Sequence, residues 1–130
     1  MYAAMAPRKA TSSRSTRGTR LNRLTVTDAF KSFVLDQLEG LGDVVPRSMF
    51  GGVGLYCRGV FFGILARDVL YLKVNDTNRP DYVKAGMDPF KPYPDRPSTM
   101  QYYAVPADVL EAPTELVAWA RRSIAIADRP

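Results

Sequence analysis

The chain of 130 residues has no histidine and a single cysteine, Cys57. An intramolecular disulfide is therefore impossible, and the fold needs no oxidising compartment. Zinc sites built on His or clustered Cys, Ser-His-Asp triads and Cys-His pairs are excluded too, because each needs an imidazole or several thiolates at fixed spacing. No apolar run approaches the roughly 20 residues that span a bilayer. The expectation is a soluble, cytoplasmic chain with no membrane partner.

Acids are missing from the N-terminal stretch. Residues 1–24 carry Arg8, Lys9, Arg14, Arg17, Arg20 and Arg23 and neither Asp nor Glu, so the formal charge of +5 resides there. The remainder holds twelve bases against thirteen acids and is nearly neutral. Electrostatics thus gives no reason to expect a nucleic-acid face on the body, while the six cations are candidate, sequence-blind phosphate contacts. The stretch is rich in Ser, Thr, Arg and Gly, which predicts a disordered basic tail over 1–24 and one domain over 25–130. An upstream start with Met5 as initiator, residues added by cloning, or a transit-like leader would produce the same composition.

From Thr25 the pattern changes. Thr27 and Asp28 supply a cap and a first-turn acid, and Ala29, Phe30, Phe33, Val34, Leu38 and Leu41 recur at helical spacing before Gly40 and Gly42. Residues 44–74 read as β-rich runs broken at Arg58-Gly59 and Arg67-Asp68, which are hairpin signals. The run Val60–Ala66 is apolar at both parities and predicts a central strand covered on both faces. A short helix to Ala85 follows, then a proline-rich loop or edge over 88–98, a strand over 99–105, and helical stretches opened by Pro106 and Pro113. In the last of these Leu116, Val117, Trp119, Ala120, Ile124 and Ala127 form the apolar face. The fold class is α+β: an antiparallel meander of about four to five strands flanked by an N-terminal helix and C-terminal helices.

The segment Arg47-Ser48-Met49-Phe50-Gly51-Gly52-Val53-Gly54-Leu55-Tyr56 resembles the RxMFGGxGxY signature of the TfoX/Sxy N-terminal domain. The likeness continues through Gly59-Val60-Phe61-Phe62, Leu70-Tyr71-Leu72-Lys73, Asn78, Pro89-Phe90, Met100-Gln101-Tyr102-Tyr103, Val105-Pro106 and Leu116 to Ala120. The resemblance implies an antiparallel sheet with flanking helices and a role in regulating natural competence. In that role the full-length regulators act beside a cyclic-AMP receptor protein, which makes a transcription factor the implied protein partner. Those regulators also carry a C-terminal DNA-binding domain, which would begin where this chain stops, so a stand-alone N-domain is expected. Arg47, Met49, Phe50, Gly51, Gly52, Gly54 and Tyr56 are carried over as a structural or interaction motif.

The glycines lack the spacing and strand-to-helix setting of a dinucleotide or P-loop site, so a bulge or tight crossing fits them better than an anion cradle. Cys57 has no histidine to activate it and reads as a small strand residue. Tyr71, Lys73 and Tyr103 are candidates for one ligand or partner face, with Arg47 beside them, and parity supports Tyr71 with Lys73. Trp119 is expected to be buried, or to anchor an oligomer interface. Asp76 and Asp81 are explained as helix-start residues. No catalytic residue, metal ligand or cofactor is expected. The first functional reading is a regulatory protein-interaction module, with a homodimer as one form of it. The alternatives are a nucleic-acid-associated protein working through its tail, and a ligand-binding protein or enzyme using Asp, Glu, Lys, Tyr or Arg.

Overall fold

The computed structural model describes residues 24–92 and 100–128. Its elements are α1 (Asp28–Gln37), a 3₁₀ turn (Glu39–Leu41), β1 (Val44–Met49), β2 (Gly52–Cys57), β3 (Val60–Ala66), β4 (Val69–Lys73), α2 (Arg79–Lys84), β5 (Tyr102–Ala104), α3 (Ala107–Leu110) and α4 (Pro113–Ala127). The five strands form one antiparallel sheet in the order β1-β2-β3-β4-β5. The expected α+β meander with helices on both sides of it in sequence is what is observed. The six tail cations Arg8, Lys9, Arg14, Arg17, Arg20 and Arg23 lie outside the described residues. Leu24, which composition groups with the tail, is buried on the sheet.

Three successive hairpins set the register. Each has a two-residue loop, Phe50-Gly51, Arg58-Gly59 and Arg67-Asp68, with positive φ at both positions. That is the type I′ geometry whose twist matches paired strands. The loop-flanking pairs are Met49 with Gly52, Cys57 with Val60, and Ala66 with Val69. A two-residue loop makes its flanking pair hydrogen-bonded, so Val45, Arg47 and Met49 bond β2 while Val44, Pro46 and Ser48 turn their backbone groups outward. Pro46 therefore occupies a position where no ladder donor is needed, and it removes one donor from the outer side of β1, the edge strand among the described residues. The other edge is occupied: Phe90 N donates to Tyr102 O and Ala104 N to Asp88 O, so residues 88–90 run along β5.

Both faces of the sheet are covered. On one lies the main core, where Phe30 and Val34 of α1, Tyr82 of α2, Val109 and Leu110 of α3, and Leu116 and Ala120 of α4 pack on Leu55, Phe62, Leu65, Leu70 and Leu72. On the other, Leu24 and Phe90 close over Ile64, Ala66, Tyr71 and Tyr102. The doubly apolar β3 is thus central, and the second cover comes from this chain's own Leu24 and Phe90. A register shift helps β3 serve both faces: Leu55 pairs with Gly63 and Tyr56 with Phe61, leaving Phe62 as the extra residue of a bulge.

The N-terminal segment is tied down by Asp68, whose carboxylate accepts from Thr27 N (2.8 Å) and Thr27 Oγ1 (3.0 Å). Thr27 caps α1 by accepting from Phe30 N. The end of β4 is clamped through one carbonyl. Lys73 O accepts from Asn78 Nδ2 (3.2 Å) and from Ser123 Oγ (2.8 Å), while Asn78 Oδ1 accepts from Asn75 N. Asn78 and Ser123 are the two buried polar residues among those described, and both are spent on this clamp. Asn78→Ala should cost about 2–3 kcal/mol and Ser123→Ala about 1 kcal/mol, read by urea unfolding with the single tryptophan, Trp119, as probe. Equal, negligible costs would show the clamp to be unimportant.

Trp119 is half-buried, edge-on to Tyr82 at 4.8 Å between ring centroids. The Tyr82 hydroxyl is buried without a partner of hydrogen-bonding geometry. Burial pushes this phenol up to about 12, offset in part by the neighbouring Ser123 and Arg122. Tyr102 is also pushed up to about 12, by burial and then by the adjacent Tyr56. In the unfolded chain both ionise near 10.0. Unfolding therefore releases protons above that pH, and stability that is complete below pH 10 should fall as pH rises toward 12, by about 2–3 kcal/mol for Tyr82 and by less for Tyr102, where solvent screens part of the effect. Tyr82→Phe should remove the larger part of that fall and, at neutral pH, leave stability unchanged or about 1 kcal/mol higher. A loss of stability at pH 7 in this variant would mean that the hydroxyl has a partner in solution.

Candidate functional site

The family-like segment 47–56 forms the β1–β2 hairpin, and its residues divide into two groups by direction. Those pointing onto the sheet build a row of rings between two cations. The Arg47 guanidinium carbon lies 5.3 Å from the centroid of the Tyr56 ring. Tyr56 stacks on Phe61 at 5.1 Å, and Phe61 meets Tyr102 at 5.6 Å. Lys73 Nζ closes the row 5.2 Å from the centroid of Tyr102. Tyr71 stands on the same sheet face against Phe90 at 4.8 Å. The rings of the row thus contact one another, with a cation at each end.

The glycines make room for this row. A Cβ on Gly54 would lie 2.7 Å from Met49 Sδ and 3.1 Å from a Phe61 ring carbon. A Cβ on Gly52 would lie 2.7 Å from the backbone oxygen of Leu65, with Leu24 close by. Gly51 sits at φ 86°, where the I′ loop requires it. The three glycines are accounted for by one turn and two close crossings.

Tyr71 and Lys73 share a face, as parity predicts, but Tyr103 does not join them. It pairs with Leu72, so its side chain falls on the helical side and meets Tyr82 at 6.0 Å. Tyr102, opposite Lys73, takes the place assigned to Tyr103. Sequence alone leaves the Tyr102-Tyr103 parity open, because both neighbours are the same residue type and only the cross-strand register selects one. Cys57 is buried, with Sγ 3.6 Å from Gly42 O and 3.4 Å from Arg58 Nη1, which is the setting of a packed strand residue. Among the described residues no group of three His, Cys, Asp or Glu side chains is placed to hold a metal ion, and no helix is long and apolar enough to cross a membrane.

Phe50 is the member of the segment that points away from the other described residues. It is 86% exposed, the most exposed large hydrophobic residue among those described, followed by Val83 at 56% and by Val45 on β1 at 46%. It also has φ 49°, a conformation that costs a bulky L residue about 1–2 kcal/mol and that Asn or Gly adopts readily. Neither burial nor turn chemistry explains a phenylalanine here. A residue in a costly backbone state, with its apolar side chain in water, marks a place where selection for something other than stability is at work. The signal was present in the sequence as Phe-Gly between two β-rich runs.

Phe50→Asn should therefore raise stability by about 1 kcal/mol. Gly54→Ala should lower it by about 1–2 kcal/mol, since a flexible Met49 can yield, and Gly52→Ala by about 3 kcal/mol, since a strand carbonyl cannot. Thermal and urea unfolding of the three variants checks the ranking, and a destabilised Phe50→Asn protein would show that the ring serves the fold.

Comparison with known proteins returns one family. The sequence profile of the TfoX N-terminal domain matches residues 36–127, a span that includes every strand, the β1–β2 hairpin and all but the first eight residues of α1. No curated protein matches the chain. The ordered motif in the first hairpin, the five-stranded antiparallel sheet it opens and the extent of the profile match agree, and the chain belongs to the TfoX N-terminal domain family.

Proposed function

We propose that the chain is a cytoplasmic, non-catalytic regulatory module that binds a protein partner, and that it serves transcriptional control of natural competence. The observation that carries this reading is Phe50: a large apolar side chain held in water at the tip of the family's hairpin, at a backbone cost. Exposed aromatics in a fixed geometry are the residues around which protein interfaces concentrate their binding energy. Family membership supports the link to competence. By resemblance, a transcription factor of the cyclic-AMP receptor type is the partner to try first.

Two measurements test the reading together. The full chain is used to retain proteins from an extract of its own cells, and each retained protein is purified and the pair reconstituted at defined concentration. In parallel, transcripts are compared with and without the gene. The expected outcome is a reconstituted complex with a micromolar or tighter Kd and a changed set of transcripts. If no pair reconstitutes and the transcripts are unchanged, the module is not regulatory in this sense.

A further inference from the structure

We infer that the end of the sheet bearing Phe50 is the docking end, and that its occupant is a protein surface with an apolar pocket rimmed by carboxylates. The inference rests on the protein-interaction reading and adds to it the anchor and the partner's chemistry. The register places the β1–β2 loop and the β3–β4 loop at the same end of the sheet, since Met49 pairs with Gly52, Val53 with Leu65, and Ala66 with Val69. Phe50 and Arg67 are the residues of those loops with exposed side chains longer than glycine's. Lys91 is adjacent, its carbonyl accepting from Arg67 Nη2 at 3.2 Å. Arg47 lies three residues before Phe50 and is exposed over Tyr56.

The charges at this end are unbalanced. The three ion pairs among the described residues join Arg58 to Asp43, Arg79 to Asp76 and Arg122 to Asp81. The first two lie at the opposite end of the sheet, beside the β2–β3 loop and after β4, and the third joins α4 to α2. Arg47, Arg67 and Lys91 pair with no described carboxylate. Asp68, the acid of the β3–β4 loop itself, is spent on Thr27. An apolar anchor at an end that also presents cations without a described carboxylate partner is complementary to a pocket with an acidic rim.

Nucleic acid would also meet cations, but the geometry favours protein. Proteins that bind single strands stack successive bases on several free rings. Here the rings of the sheet face are engaged with one another, Tyr56 stacked on Phe61 and Phe61 tilted against Tyr102, with Arg47 and Lys73 at the two ends. Among the described residues Phe50 is the exposed aromatic ring, and it projects from a two-residue loop, which suits insertion into a pocket. Its conformation is set before binding, so little ordering is required on contact.

The test uses the full chain and three variants, Phe50→Asn, Phe50→Trp and Arg67→Ala. A random peptide library displayed on phage is selected on the wild-type protein, and recovered peptides are synthesised and titrated by fluorescence polarisation. A labelled 20-nucleotide single strand, its duplex and anionic phospholipid vesicles are titrated with the same proteins. We expect peptides pairing bulky apolar residues with Asp or Glu. Their affinity should fall at least tenfold with Phe50→Asn and be retained with Phe50→Trp. Arg67→Ala should weaken it several-fold and reduce its salt dependence. Because Phe50→Asn is expected to be more stable than wild type, a lost signal is not a lost fold, and the melting curve verifies this. Peptides that bind Phe50→Asn as well as wild type overturn the docking end and leave the protein-interaction reading standing. Recovery of no peptide, with Phe50-dependent binding of the strand, duplex or vesicles, overturns both.

Discussion

A strand joined to the next by a loop of two residues has no freedom of register. Three such loops in succession, at Phe50-Gly51, Arg58-Gly59 and Arg67-Asp68, lock β1 to β4 into one alignment. Because side chains alternate at period two, that alignment decides which residues face the helices and which face the second cover. Leu70 and Leu72 go to the main core, and Tyr71 and Lys73 go to the opposite face, Tyr71 against Phe90 and Lys73 over Tyr102. A slip of one residue would exchange these sets and place Lys73 among leucines. The loops achieve this although four of their six positions are non-glycine residues at positive φ, so backbone strain is accepted in return for a unique pairing.

The two faces of the sheet then do different jobs. The helical face supplies most of the buried apolar surface and is closed by polar groups that satisfy one another, chiefly Asn78 and Ser123 on the carbonyl of Lys73. The opposite face is thinner. Its cover is Leu24 and Phe90, and its polar ends are arginine and lysine stems lying over tyrosine rings, a way of burying aromatic surface while keeping the charge in water. The cost of a charged rim is low there, because guanidinium and ammonium groups over ring faces are attracted rather than merely tolerated.

Within the family motif the residues separate by the physical demand each one meets. Gly51 answers a dihedral demand, Gly52 and Gly54 answer demands for space, and Arg47, Met49 and Tyr56 fill the surface those glycines clear. Phe50 answers none of these. A sequence motif read as one unit is thus, in the folded chain, a scaffold of six residues carrying a seventh, Phe50, whose side chain the fold leaves exposed.

The order of elements was determined by the sequence alone: the capped first helix, the two-residue breaks, the doubly apolar third strand and the amphipathic last helix are local patterns, and local patterns are read from neighbours along the chain. The separation of positive charge from a near-neutral body is likewise a property of composition. What the tertiary structure decided is everything that depends on pairing. Tyr102 rather than Tyr103 stands beside Lys73, because a single register step chooses between identical neighbours. Leu24 belongs to the folded body because it finds Gly52 and the β3–β4 loop, more than twenty residues away. Phe50 is exposed because the loop that carries it turns at that residue, and no periodicity in the sequence distinguishes an aromatic ring bound for a core from one left in water.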